Sequence, residues 1–222
     1  VSETAARLPS ALAGIVCVGL VALFGRRLVG ARAAALAALL LLTTQEFAHL
    51  SRRAQLDPML LLFETGALAC YWRIAQRANT STRESVATCA AASTRDLVAL
   101  HACLGLAVLT KGPVGLLVPA LVIATDLAWQ RDLRSLPGLF APRFWILSLA
   151  PGLAWAIASV ALAPAGYFEH GSVDNLFGRF AKGTAHPRPW HYFLWNFPLS
   201  CLPWSLAWLA VWRAARREVF VA

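Results

Sequence analysis

Lys111 stands inside the run LTKGPVGLLVP, residues 109–119, with apolar sequence on both sides. An ammonium at the centre of a bilayer costs roughly 2.5–3.5 kcal/mol on insertion scales. Such a residue has either a task or a place where that cost disappears. Gly112-Pro113 supplies the place: proline has no N–H and glycine bends freely, so the run is expected to divide there into two helices joined by a tight turn. Lys111 then sits at a membrane surface, as a cation suited to holding an anion. Asp57, just before Pro58, carries two compatible readings. Asp-Pro is a favoured helix start, and the helix dipole welcomes the charge. A carboxylate held at the membrane surface is also placed to take a proton or to bind a donor or acceptor. Glu64 follows seven residues later on the same helical face, about 10 Å deeper by helix rise. An intramembrane carboxylate is a functional candidate by default, but the reading favoured for Glu64 is structural, protonated or hydrogen-bonded to a neighbouring helix.

A third group lies in the segment GYFEHGSVDNLFGRFAKGTAHPRPWHYF, residues 166–193. It mixes Arg179, Lys182, His186 and Arg188 with Phe177, Phe180, Trp190 and Tyr192. One reading is a solvated loop with interfacial aromatic anchors. The other is a cationic pocket for a lipid phosphate, a task for which the planar arginine fork is well matched. Within it, LFGRF has the pattern of a short amphipathic helix lying in the interface. His49, Asp57, His170 and His186 are of metal-ligand type, yet no spacing among them demands a divalent ion.

The elements that must position these groups follow from composition. The 222 residues are 59% hydrophobic and only 14% charged, with nine tryptophans and a mean hydropathy of +0.60. Soluble domains run nearer 45–50% apolar and about 25% charged, so the chain falls in the membrane class. Apolar runs at about 8–25, 33–48, 57–73, 96–110, 113–129, 144–163 and 193–213 predict an all-α, polytopic protein with about seven transmembrane helices. With residue 1 outside, the inner segments hold 13 of the 20 lysines and arginines and the outer ones 7. That bias predicts N-outside, C-inside, and puts Asp57, Lys111 and the 165–192 loop on one outer face. The net charge of +9 is then largely positive-inside bias and attraction to anionic headgroups. Nucleic acid is excluded as a partner, since no basic-aromatic patch stands apart from the spans. Segment 76–95 reads as a flexible inner loop without chemistry. Ala-rich stretches such as ARAAALAALLLL let helices approach closely. The five cysteines are scattered without CxxC spacing and behave as small hydrophobes. The chain opens on Val1 and its single methionine is Met59, so residues 1–222 are expected to be one transmembrane domain within a longer protein.

The ordered set RLPSALAGIVCVGLVALFGRRLVG, SRRAQLDPMLLLF, GLAVLTKGPVGLLVPAL, LFGRFAKGTAHPRPWHYF and LPWSL resembles the polyprenyl-phosphate-dependent GT-C glycosyltransferases. Its nearest branch is the bacterial aminoarabinose transferases of lipid A, with protein O-mannosyltransferases as wider kin. The resemblance runs over nearly the whole chain. It implies inverting transfer of a sugar from a polyprenyl (undecaprenyl) phosphate donor to an envelope acceptor such as lipid A or a protein, at the outer face of a bacterial inner membrane. It further implies that Lys111, Arg179 and Arg188, with Lys182 and His186, hold the donor phosphate. Asp57 matches the family's second outer acidic position and would assist a main base. In the family that base belongs to an Asp-Glu pair on a first outer loop, before the position of Val1. The piece as given is therefore expected to be inactive alone. Glu64 and His191 depart from the family pattern, each standing where an apolar or aromatic residue is common. Two other classes remain open on the residues themselves. A transporter or flippase would use Lys111, Glu64 and Gly-Pro as a broken helix at mid-membrane, and a scaffold would be non-catalytic.

Overall fold

A computed structural model of the chain describes residues 2–80, 92–162, 164, 189, 191–208 and 211–213. All regular structure among them is helical: α1 (Glu3–Val29), α2 (Ala31–Thr43), α3 (Gln45–Ser51), α4 (Asp57–Thr80), α5 (Thr94–Lys111), α6 (Val114–Trp129), α7 (Leu136–Leu139), α8 (Trp145–Leu162) and α9 (Tyr192–Ser200), with single 3-10 turns at Leu133–Ser135 and Pro142–Phe144. The chain forms two compact units, one of residues 1–58 with 186–222, the other of residues 59–185.

In the first unit α1 begins under a Ser2 cap, whose Oγ accepts from the Ala5 N–H at 3.3 Å, and ends at Gly30 with φ +84°. Small residues let its neighbours close in. Ala13, Cys17, Ala34 and Ala38 are buried, and a Cβ on Gly25 would lie 3.1 Å from Ala34 Cβ. The apolar run expected as one span at 33–48 is instead α2 and α3, bent by 65°. Thr43 and Thr44 explain the break: each hydroxyl donates at 2.6 Å to a carbonyl four residues back, and Thr44 itself is extended (ψ 124°). Threonine back-bonding of this kind competes with the helical ladder. The freed Gln45 N–H donates to Leu202 O at 2.9 Å, and Trp204 Nε1 donates to Thr43 Oγ1 at 2.7 Å. The run expected at 193–213 is helical to Ser200 and then turns at 201–204.

In the second unit α5 lies against α6 and α8. Its core gathers Ala67, Tyr71 and Ile74 of α4, Leu97, Leu100 and Leu104 of α5, Ile123 and Leu127 of α6, then Leu139 and Phe144. Around it the surface is apolar. Leu121, Ile146, Leu153 and Val160 are each 57–70% exposed, an arrangement that water penalises and lipid does not. Among the described residues two stretches, Glu3–Val29 and Leu133–Leu162, are long and apolar enough to cross a membrane, or three if the bent α2–α3 pair counts as one.

Candidate functional site

Asp57 opens α4 and is partly buried, with Pro58 fully buried behind it. What fixes this corner is Ser10 on α1. Its Oγ donates to Gln55 O at 2.6 Å and accepts from the Gln55 N–H at 3.1 Å, and the residue is only 3% exposed. One hydroxyl thus satisfies both main-chain groups of the residue two before the helix start.

Lys111 ends α5. Its side of the molecule is built by glycine: the Gly112 N–H closes the helix on Val108 O at 2.7 Å, Gly112 takes φ +72°, and α6 starts at Val114 after Pro113. The two helices return against each other so closely that a Cβ on Gly115 would meet the Ala107 carbonyl oxygen at 2.5 Å and Ala107 Cβ at 2.8 Å. Lys111 is exposed at this tip, where an ammonium keeps its hydration and costs little. On its other side α5 is pinned to α8. A Cβ on Gly105 would collide with the Leu147 carbonyl.

Lys111 and Glu64 belong to the same unit. Glu64 Oε1 is buried and has no hydrogen-bond partner among the described residues. Asp57 belongs to the first unit. Arg179, Lys182, His186 and Arg188 lie outside the described residues, as does His170. Among the described residues no three His, Cys, Asp or Glu side chains gather as a metal site. His49 is exposed in the last turn of α3.

Two polar clusters went unread in the sequence. Asp96, 3% exposed, takes ion pairs from Arg77 and, at 3.2 Å, from Arg73, and its N–H is capped by Ser93 Oγ at 3.2 Å. The signal was present: Ser93 three residues before an acid is a capping pattern, and it anchors the start of α5 where only a featureless inner loop was expected. His101, 1% exposed, donates through Nε2 to Leu139 O at 2.9 Å and accepts at Nδ1 from Ser148 Oγ at 2.7 Å, with Phe144 stacked at 5.3 Å. The carbonyl can only accept, which puts the proton on Nε2. This histidine locks α5 to α8 and shows no further function.

An all-helical chain with lipid-facing leucines and a cationic helix tip defines an integral membrane protein. The family model for dolichyl-phosphate-mannose-protein mannosyltransferase matches residues 1–153, and the chain belongs to that family. It is 30% identical over 196 residues, 86% of its length, to an undecaprenyl phosphate-alpha-4-amino-4-deoxy-L-arabinose arabinosyl transferase of Sodalis glossinidius, of which it covers 33%. To the corresponding transferase of Pseudomonas aeruginosa it is 38% identical over 102 residues, 46% of this chain and 18% of that protein. The chain thus spans a third or less of these curated relatives. Its fold is similar to that of ArnT from Cupriavidus metallidurans. Against the crystal structure bound to undecaprenyl phosphate the TM-score is 0.68 at 25% identity, covering 97% of this chain and 38% of that one. Against the apo structure it is 0.64 at 26% identity, covering 95% and 36%.

Proposed function

We propose that this chain is the donor-holding part of a membrane glycosyltransferase that moves a sugar from undecaprenyl phosphate, or a similar polyprenyl phosphate, to an envelope acceptor such as lipid A or a protein hydroxyl. The observation that carries this reading is Lys111. It is an exposed ammonium at a glycine-built helix tip, in a chain similar over 97% of its length to a transferase structure that holds undecaprenyl phosphate.

In this reading Lys111, Arg179 and Arg188, with Lys182 and His186, hold the donor phosphate. As the bond from the sugar's anomeric carbon to the phosphate oxygen breaks, the electron pair stays on the lipid phosphate. Cations fixed there stabilise that growing charge, in general the largest electrostatic contribution to such a transfer. The acceptor hydroxyl attacks the opposite face of the sugar and inverts the centre, passing its proton to a carboxylate base. Asp57 assists, and the principal base is an acidic pair on an outer loop N-terminal to Val1. The corresponding architecture is seven crossings with residue 1 outside, in a bacterial inner membrane, with the site facing the periplasm.

The test is Lys111→Ala beside Lys111→Arg, each in the protein made from its full coding sequence, with undecaprenyl phosphate binding and sugar transfer both measured. Loss of a charge-assisted contact is expected to weaken donor binding by roughly 10- to 100-fold and to leave acceptor KM nearly unchanged, while the arginine variant keeps most of the affinity. An unaltered donor KM in Lys111→Ala removes the phosphate role.

A further inference from the structure

The connection between α6 and α8 carries features that neither the phosphate site nor the core uses. α6 presents Leu117, Ala120, Leu121 and Ala124 on one face, and α7 with its C-cap supplies Leu136, Pro137 and Phe140 opposite them. Between them lies an apolar groove of about 450 Å³. Its α6 wall runs from Leu117 to Ala124, about 10 Å of helix. Leu117 and Leu121 are 55% and 57% exposed, so the groove opens outward.

Cations bracket the α7 wall. Arg134 stands two residues before Leu136, and Arg143 three residues after Phe140. Arg131, at φ +58°, turns the chain between α6 and this segment. All three side chains are exposed. Asp132 is the one acid between residues 130 and 144. Its Oδ1 accepts from Arg134 Nε at 3.1 Å and its Oδ2 from Ser135 Oγ at 2.6 Å, leaving positive charge in surplus. Arg143 lays its guanidinium 4.9 Å over the Phe144 ring. A contact of this kind takes up no hydrogen-bond acceptor, so the guanidinium N–H groups can still meet an anion. Trp129 is 89% exposed, and Trp145 donates through Nε1 to Phe140 O at 2.9 Å. Exposed tryptophans of a membrane protein settle at headgroup level, so the arginines lie where lipid phosphates do.

We propose that this groove and the exposed arginines that flank its α7 wall in sequence bind an anionic glycerophospholipid, with an acyl chain along α6 and the phosphate on Arg134 and Arg143. Guanidinium groups match phosphate oxygens bidentately, and basic pockets between membrane helices are a recurrent means of holding anionic lipid. A zwitterionic lipid brings its own cation and gains less from the charge surplus. A protein partner would need acidic side chains and a patch far larger than seven residues, since stable interfaces bury on the order of 1,200 Å² or more.

The test uses the protein from its full coding sequence, purified in detergent, with native mass spectrometry against palmitoyl-oleoyl phosphatidylglycerol and palmitoyl-oleoyl phosphatidylcholine. Phosphatidylglycerol should be retained roughly tenfold better than phosphatidylcholine. The exchange Arg134→Gln with Arg143→Gln should erase that preference without moving the thermal midpoint, and Arg143→Lys alone should keep most of it. Ala124→Trp, which fills the slot, should lower retention of both lipids. Equal retention of the two lipids by the wild type, or an undiminished preference in the double variant, overturns the proposal. A dimer mass that Ala124→Trp disperses, with lipid retention untouched, would give the groove to a second copy and equally overturn it.

Discussion

Gly115→Ala isolates what holds Lys111 in place. The added methyl would stand 2.5 Å from the Ala107 carbonyl oxygen and 2.8 Å from Ala107 Cβ, where carbon contacts settle near 3.5–4.0 Å. The overlap of about 1 Å falls on the backbone of α5, which has no rotamer by which to escape. α6 must therefore move off α5, or the turn at Gly112 must deform, and Gly112 at φ +72° and ψ −147° already occupies a region that side chains avoid. Overpacking a close contact costs about 1–3 kcal/mol, and a backbone clash belongs at the upper end of that range. Gly19→Ala on α1 is the control, because nothing lies within 4 Å of its new Cβ. Unfolding followed by tryptophan fluorescence in detergent, with wild type and both variants side by side, reads the difference. Gly115→Ala should lower the midpoint clearly and raise donor KM, since the tip that carries Lys111 shifts. A midpoint for Gly115→Ala equal to that of Gly19→Ala would refute the close-packed turn, and with it the argument that glycine sets the position of the ammonium.

His101→Phe keeps the ring's bulk but strands Leu139 O in a buried site and leaves Ser148 Oγ only its long 3.5 Å bond to the residue-101 carbonyl. At about 1–3 kcal/mol for each orphaned group, a large loss of stability is expected in the same unfolding assay, and a near-neutral variant would show the network to be slack. Asp96→Asn removes the buried charge that Arg73 and Arg77 share. Because both arginines are about half exposed and regain water, the expected cost is only about 1–3 kcal/mol, and pairing with Arg73→Gln in a double-mutant cycle checks the coupling. Ser10→Ala unties Gln55 from α1. It should lower the turnover number with donor KM unchanged, which steady-state kinetics separates from the Gly115→Ala effect.

Much of this was legible because glycine, proline and cap residues act locally. Gly112-Pro113 divides its apolar run whatever surrounds it, and Asp57-Pro58 starts a helix by the same short-range rules. The bend at Thr44 was not legible, since two threonines in an apolar run are ordinary until one asks where their hydroxyls donate. Asp96 was hidden for a related reason. Its partners Arg73 and Arg77 sit about twenty residues earlier on α4, beyond any window in which periodicity or charge spacing is read. His101 drew no reading from the sequence, because its two partners lie 38 and 47 residues downstream. The arginines of 179 and 188, the most chemically suggestive residues of the sequence, fall outside the described residues.

The two groups proposed for the reaction are held by independent means. Lys111 takes its place from contacts within residues 59–185: α8 against Gly105, the His101–Ser148 bond, and Ala107 against Gly115. Asp57 takes its place from Ser10 and Gln55, both in the other unit. In the proposed reaction a cation holds the phosphate and a carboxylate assists the base, and these tasks differ in what they require. The cation must already be in place when the lipid arrives, which suits a tip fixed by backbone packing that tolerates no side chain at position 115. The carboxylate must hold its position at a helix start, which a single buried hydroxyl can do by bonding both main-chain groups of Gln55. Variants that loosen one anchor and spare the other should therefore split donor affinity from turnover, and a protein in which the two always changed together would not be built this way.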